Sequence, residues 1–178
     1  MASDNKDYLE TYRKKRDCQQ TPEPRGEVPK SSARGSIFVV QKHDASRLHY
    51  DFRLEIDSVL KSWAVPKGPS TNPRERRLAV YTEDHPVEYA NFEGIIPEGE
   101  YGAGTVLIWD TGTYRNLKQD DGKELPMGQA LEKGHITFWL EGKKLKGGYA
   151  LTRLGKSRRW LLVKMQDEEA NTHADLSG

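Results

Sequence analysis

The run HDASRLHYDFRLE, from His43 to Glu55, is where this chain concentrates side chains able to do chemistry. Successive side chains of a β-strand alternate, so the second half of the run sends His49, Asp51, Arg53 and Glu55 to one face and Leu48, Tyr50, Phe52 and Leu54 to the other. Side chains two apart along a strand sit roughly 6.6–6.8 Å from each other, close enough for an imidazole and a carboxylate to share one ion. His43, upstream in the same run, adds a second imidazole. Two imidazoles and a carboxylate make a mixed N/O ligand set for a divalent ion, and Arg53 beside them is a bidentate donor suited to phosphate. The bland reading of the same pattern is the solvated face of a half-buried strand.

The elements that would hold these residues are mostly strands. Residues 5 to about 17 can form a short helix, with Glu10 placed for an i,i+4 pair with Lys14, and the Pro-, Gly- and Ser-rich stretch 19–35 reads as an irregular arm. From Ser36 onward short β-prone runs follow one another: SIFVVQKH, RLHYDFRLEI, VLKSWAV, RRLAVYTE, PVEYANF, TVLIWDTGTYR, HITFWLEG, GYALTRL and RWLLVKM. Asp57-Ser58 and Gly147-Gly148 are candidate hairpin turns. With helix scarcely signalled after residue 35, the pattern predicts an all-β fold, an antiparallel β-barrel of about eight strands with a short N-terminal helix and arm. The expected organisation is an arm over 1–35, a barrel over 36–167 and a polar tail over 168–178, in which His173 reads as a bystander. If the strand turns His49, Asp51 and Arg53 inward, the barrel encloses a polar pocket, and the cost of desolvating unpaired charges requires its ligand to be ionic.

Composition sets bounds on function. The 178 residues suit one domain, and no run of 18 apolar residues or charged-then-apolar leader is present, which predicts a cytoplasmic protein with no membrane partner. Cys18 is the only cysteine, excluding an internal disulfide and any CxxC metal knuckle. The formal charge of +1 hides segregation: Lys143, Lys144, Lys146, Arg153, Lys156, Arg158, Arg159 and Lys164 follow one another between Gly142 and Lys164 without an acid. Glu83, Asp84, Glu88, Glu93, Glu98 and Glu100 do the same without a base between Glu83 and Glu100. A basic stretch containing Tyr149 and Trp160 could track a nucleic-acid backbone and stack bases, or be a solubilising surface.

Other residues carry weaker signals. His85 and Tyr89, in HPVEY, could bring an imidazole and a phenol to a pocket rim, or be a turn His followed by a strand Tyr. Lys67 sits in a loop stiffened by Pro66, Gly68 and Pro69 that could aim its ammonium at an anion, and Arg74, Arg76 and Arg77 form a small basic cluster. The glycine-rich run EGIIPEGEYGAG lacks the GK[ST] of a P-loop and reads as a structural loop, and no GxSxG or HExxH occurs. Two other function classes fit parts of the chain. His49, Asp51, His135 and Arg153 loosely meet the facial-triad pattern of Fe(II), 2-oxoglutarate oxygenases, and the basic stretch would serve a noncatalytic nucleic-acid-binding barrel.

The segments FVVQKHDASRLHYDFRLEIDSVLKSWAVPKGPS, TEDHPVEYANFEGIIPEGEYGAGTV and RWLLVKM together resemble the 3'-phosphoesterase domain associated with bacterial DNA ligase D of non-homologous end joining, over about residues 8 to 167. The resemblance implies a β-barrel and a manganese-dependent activity, other divalent transition metals being possible, that removes a 3'-terminal ribonucleoside and then the remaining 3'-phosphate. It places metal ligands at His43, His49 and Asp51, and phosphate contacts at Arg53 and His85 with Tyr89 beside them. It also places basic groups of the monoesterase step at Lys67 and Arg77, a polar group near the metal at Gln41, and arm residues at Arg16, Asp17 and Glu23. The implied substrate is a DNA primer-template with a 3'-ribonucleotide or 3'-phosphate end; partners could include the ligase, polymerase and Ku of end joining, and monomer is the default state. His85 is expected to titrate near its ordinary value of ~6.5 and to give a hydrogen bond or a proton to the phosphate.

Overall fold

The computed structural model describes residues 9–16, 21–24, 36–120 and 122–170. Within them the chain runs α1 (Glu10–Lys14), β1 (Ile37–Asp44), β2 (Leu48–Ile56), β3 (Val59–Val65), β4 (Arg77–Tyr81), a 3-10 helix (Val87–Asn91), β5 (Gly94–Ile96), β6 (Gly104–Asn116), the short hairpin β7 (Gln119–Asp120) and β8 (Lys123–Glu124), α2 (Met127–Lys133), β9 (His135–Glu141), β10 (Lys146–Arg153) and β11 (Arg159–Lys164). Strands pair in the order β1-β2-β3-β4-β11-β10-β9-β6, and β6 pairs back onto β1, closing an antiparallel eight-stranded barrel; β5 extends the β6 edge. Asp57 and Ser58 both take positive φ, 54° and 68°, the mirror-image turn whose twist matches a hairpin, and join β2 to β3.

An eight-stranded barrel has an interior just wide enough for side chains to fill. Here the filling is apolar: Phe38, Phe52, Trp63, Phe138, Tyr149 and Trp160 meet in one buried cluster. Phe52 and Phe138 stack at 5.8 Å between centroids although their strands are not neighbours, so the contact crosses the interior. The expectation of an enclosed polar pocket is therefore corrected. The aromatic face of β2 turns inward, and His49, Asp51 and Arg53 face the outside wall, since a charged row in so narrow a core would displace the packing that closes it. A second buried cluster of Tyr12, Val39, Leu60, Tyr89, Phe92 and Val106 packs that outer wall under α1 and the 3-10 helix. β2 is thus buried on both faces, and its outer polar residues sit under a roof.

Several local expectations change with the same physics. PVEYANF forms a 3-10 helix because Leu60 and His85 exchange both backbone hydrogen bonds (2.8 and 3.0 Å) and Pro86, lacking an N–H, cannot extend that ladder. Helix α2 escaped the pattern because seven residues are too few for a periodicity; its limits are Pro126 and Gly134, the latter at φ 86°. Gly147 and Gly148 lie inside β10 opposite Leu140 and Trp139 rather than at a turn. Tyr149 and Trp160 are buried, 0% and 3% exposed, so neither is a stacking platform. The basic stretch does not form one patch: Lys143, Lys144 and Lys146 precede or open β10 while Arg153, Lys156, Arg158 and Arg159 close or follow it, a strand length of roughly 25 Å apart. No helix of the described residues is long and apolar enough to cross a membrane.

Candidate metal centre and phosphate cavity

Antiparallel register assembles the ligand set. His43 stands opposite His49 and Gln41 opposite Asp51 across β1 and β2, all on the outer face. One donor atom from each of His43, His49 and Asp51 lies within 4.8 Å of the others. His43 Nδ1 is 3.4 Å from Asp51 Oδ2, and His49 Nε2 is 3.2 Å from Asp51 Oδ1. The outward ring nitrogens are tied to backbone carbonyls, His43 Nε2 donating to Gly102 (2.7 Å) and His49 Nδ1 to Arg47 (3.0 Å). A carbonyl only accepts, so those nitrogens carry a proton in either state; the inner nitrogens donate to Asp51 when the rings are protonated and turn lone pairs toward the same point when they are neutral. Three lone-pair donors converging on one point want a cation between them, and an imidazole anchored through its other nitrogen is the usual support of a ligating histidine. The residues fit a divalent metal. Gly104, with φ 143°, starts β6 against the end of β1; a Cβ there would lie 2.2 Å from the Asp44 carbonyl oxygen.

Arg53 continues the row. Its Nε donates to Gln41 Oε1 (2.7 Å), its Nη1 to Ser62 Oγ (2.9 Å), and its Nη2 lies 3.4 Å from Asp51 Oδ2, above the Tyr89 ring. Gln41 is fully buried, and its Nε2 donates to the carbonyls of Tyr89 (2.7 Å) and Phe92 (3.1 Å). Gln41 thus braces Arg53 rather than facing the opening. Burial works against ionising Asp51, but Arg53 and the hydrogen bonds of both histidines hold its carboxyl well below the usual carboxylate range. Burial pulls His49 down, and Asp51 more than offsets it, raising the imidazole above its ordinary value.

The N-terminal segment supplies the facing side. Arg16 Nη1 pairs with Glu83 Oε2 (3.0 Å) and its Nε with Glu23 Oε2 (3.1 Å), while Nη2 lies 3.4 Å from His85 Nε2. Glu23 is buried and accepts from Thr21 Oγ1 (3.0 Å) and from the Tyr89 hydroxyl. His85 Nδ1 donates to the Glu83 carbonyl (3.0 Å), leaving Nε2 as an acceptor. Burial, then the charges of Arg53 and Arg16, hold His85 well below the ordinary imidazole range, which corrects the expectation of an unperturbed group. Tyr89 is only 2% exposed with its hydroxyl committed to Glu23, so its ring, not its phenol, meets the cavity.

A cavity of about 310 Å³ joins these groups, lined among others by Arg16, Glu23, His43, His49, Asp51, Arg53, His85 and Tyr89. Lys67 and Arg77 do not line it: Lys67 is exposed, and Arg77 pairs with Glu75 (3.2 Å) and approaches the Lys67 carbonyl (3.5 Å). Asp17 lies outside the described residues. His135 bonds Thr152 Oγ1 (2.9 Å) on β9 and β10, and Arg153 caps the carbonyls of Gly155 (3.1 Å) and Glu132 (3.3 Å), so neither joins the His-His-Asp set. Sequence reasoning passed over Glu83, Ser62, Tyr101 and the Gly102 carbonyl. Only Glu83 had a local signal, its place two residues before His85 in TEDHP.

Comparison with known proteins identifies the family. The family described as DNA ligase D 3'-phosphoesterase domain matches residues 41–153. The chain is 54% identical over 168 residues to the multifunctional non-homologous end joining protein LigD of Pseudomonas aeruginosa, covering 92% of this chain and 19% of that protein. It is 46% identical over 163 residues to the multifunctional non-homologous end joining DNA repair protein LigD of Mycobacterium tuberculosis, covering 92% of this chain and 20% of that protein. The Mycolicibacterium smegmatis protein of the first name is 48% identical over 164 residues, 92% of this chain and 21% of its own length. The chain therefore spans about a fifth of the length of these relatives. With its family-matched barrel and its His-His-Asp set beside Arg53, the chain belongs to the DNA ligase D 3'-phosphoesterase domain family.

Proposed function

We propose that this protein heals DNA 3' ends: it removes a terminal ribonucleoside by phosphodiester cleavage and then the remaining 3'-phosphate, with manganese, leaving a 3'-hydroxyl for end joining. The observation that carries the reading is one cavity in which a three-donor ligand set adjoins two guanidiniums, Arg53 and Arg16. His43 Nδ1, His49 Nε2 and an Asp51 oxygen would hold the ion, and a mixed N/O set suits Mn²⁺. When bound, the metal supplies positive charge toward a phosphate oxygen and lowers the pKa of water. Arg53, pinned at two of its nitrogens, presents its remaining edge without rearrangement, which is what preorganised stabilisation of a developing charge requires. Arg16 is the second donor, its place fixed by Glu23 and Glu83. His85 starts neutral with Nε2 an acceptor beside Arg16 Nη2, so it suits taking a proton from water or a 2'-hydroxyl rather than delivering one to the leaving oxygen. DNA primer-templates are the proposed substrates, and the ligase, polymerase and Ku of end joining the proposed partners.

The deciding experiment is cleavage of a 5'-labelled primer-template ending in one 3'-ribonucleotide, with Mn²⁺, Mg²⁺ or EDTA, beside a His49→Ala control. Stepwise shortening to a 3'-phosphate and then a 3'-hydroxyl, dependent on Mn²⁺ and absent from the control, is the expected result. An unaltered primer with metal still bound would point to another substrate.

A further inference from the structure

The cavity is at the small end of the range for ligand pockets, about 310 Å³. It accommodates a phosphodiester, and the nucleoside leaving from it must lie over the rim. Among the described residues that line the cavity, two carry phenol rings, Tyr89 and Tyr101, and they differ in availability: Tyr89 is 2% exposed and Tyr101 is 48% exposed. An aromatic ring half open to solvent at the mouth of an ionic cavity is a large apolar surface in want of a flat partner. Its neighbours hold it in place. Tyr101 is the chain neighbour of Gly102, whose carbonyl fixes the His43 imidazole. Lys15 Nζ lies 4.6 Å from its ring centroid and 3.3 Å from its hydroxyl, and the Arg16 guanidinium 5.2 Å from the centroid. Ala45 and Ser46 also line the cavity, with side chains too small to cover the ring.

We infer that Tyr101 is the stacking platform for the base of the 3'-terminal nucleoside, so that it governs binding of the ribonucleoside end and not of the 3'-phosphate left afterwards. The inference rests on the end-healing reading. Any base offers a π-face, so the platform discriminates base-bearing from baseless ends and not one base from another. The two cations that lie over the ring, Lys15 and Arg16, place positive charge beside the phosphate of the same nucleotide.

The test is steady-state kinetics of the Mn²⁺-loaded protein and its Tyr101→Ala, Tyr101→Phe and Tyr101→Trp variants. Three labelled primers are used, ending in a ribonucleotide, in an abasic ribose and in a 3'-phosphate. Loss of base stacking predicts that Tyr101→Ala raises KM about 5- to 100-fold on the ribonucleotide end with kcat little changed, while Phe and Trp preserve it. Wild type should show the same rise on the abasic end, where Tyr101→Ala adds nothing, and the 3'-phosphate end should be indifferent to every variant. Equal losses on all three ends would make the ring a brace for the His43 loop, and no loss anywhere would remove its role; either overturns the inference. Wild type leaving every 3' end untouched would instead overturn the end-healing reading itself.

Discussion

Replacing Gln41 with Leu isolates what holds the arginine beside the metal. The side chain is fully buried and makes three hydrogen bonds. The Tyr89 carbonyl keeps another donor, the Phe92 N–H at 3.0 Å, so the substitution strands the Phe92 carbonyl at this contact and Arg53 Nε. One buried neutral group left unpaired costs about 1–3 kcal/mol and a charged one more, which puts Gln41→Leu at about 3–5 kcal/mol of lost stability. In a chain of this size that lowers the melting temperature by about 6–20 °C. Arg53 retains Ser62 and Asp51, so its aim is loosened rather than lost, and kcat should fall about 10- to 100-fold, less than on removing the guanidinium. Metal affinity should hold within about threefold, because Gln41 offers the ion no donor. Urea unfolding, primer cleavage below the melting temperature and Mn²⁺ titration read the three quantities separately. A tenfold loss of metal affinity, or unchanged kcat in a destabilised protein, would refute the bracing argument.

The guanidinium itself is worth more: Arg53→Ala should lower kcat on the order of 10²–10³, and a loss below about threefold in primer cleavage would end its assigned role. Metal occupancy should be visible as stability, since Mn²⁺ at a hundred times its Kd adds about 2.7 kcal/mol and raises the melting temperature by about 5–11 °C. His49→Ala and Asp51→Asn should abolish that rise in a thermal scan and His135→Ala should keep it. The raised His49 imidazole must shed its proton to bind metal, so affinity should be flat at high pH and fall as pH drops through that raised value, by up to about tenfold per unit; a Mn²⁺ titration at pH ~6 and ~8 checks the sign. His85 shifts the other way. Its neutral form persists below the ordinary imidazole range, so at saturating metal the acid limb of kcat/KM should lie below pH ~6.5, and a limb at or above that value would contradict its neutral state.

Much of the architecture was legible because strand alternation is local. The runs from Ser36 onward carried their own period, and Asp57-Ser58 its own turn chemistry, so barrel and β2–β3 hairpin were both readable. The grouping of His43, His49 and Asp51 was readable for the same reason, as one hairpin contains all three. Contacts across long separations were not. Arg16 meets Glu83 and His85, and Tyr89 meets Glu23, through the segment that roofs the wall, and no spacing rule reaches that far. Lys67 and Arg77 were drawn toward the site by resemblance, yet both stand off the cavity wall.

By itself the sequence determined which side chains share a face of β2, since a period of two leaves no freedom once the strand exists. Tertiary structure alone decided which face is the inside. Closing eight strands leaves room only for packed side chains, the aromatic face took that room, and the polar row was left on the outer wall. There, under Tyr12 and the 3-10 helix, Arg53 and the histidines outweigh the burial of Asp51, while burial and the charges of Arg53 and Arg16 act together on His85, and that is why both titrate far below their ordinary ranges.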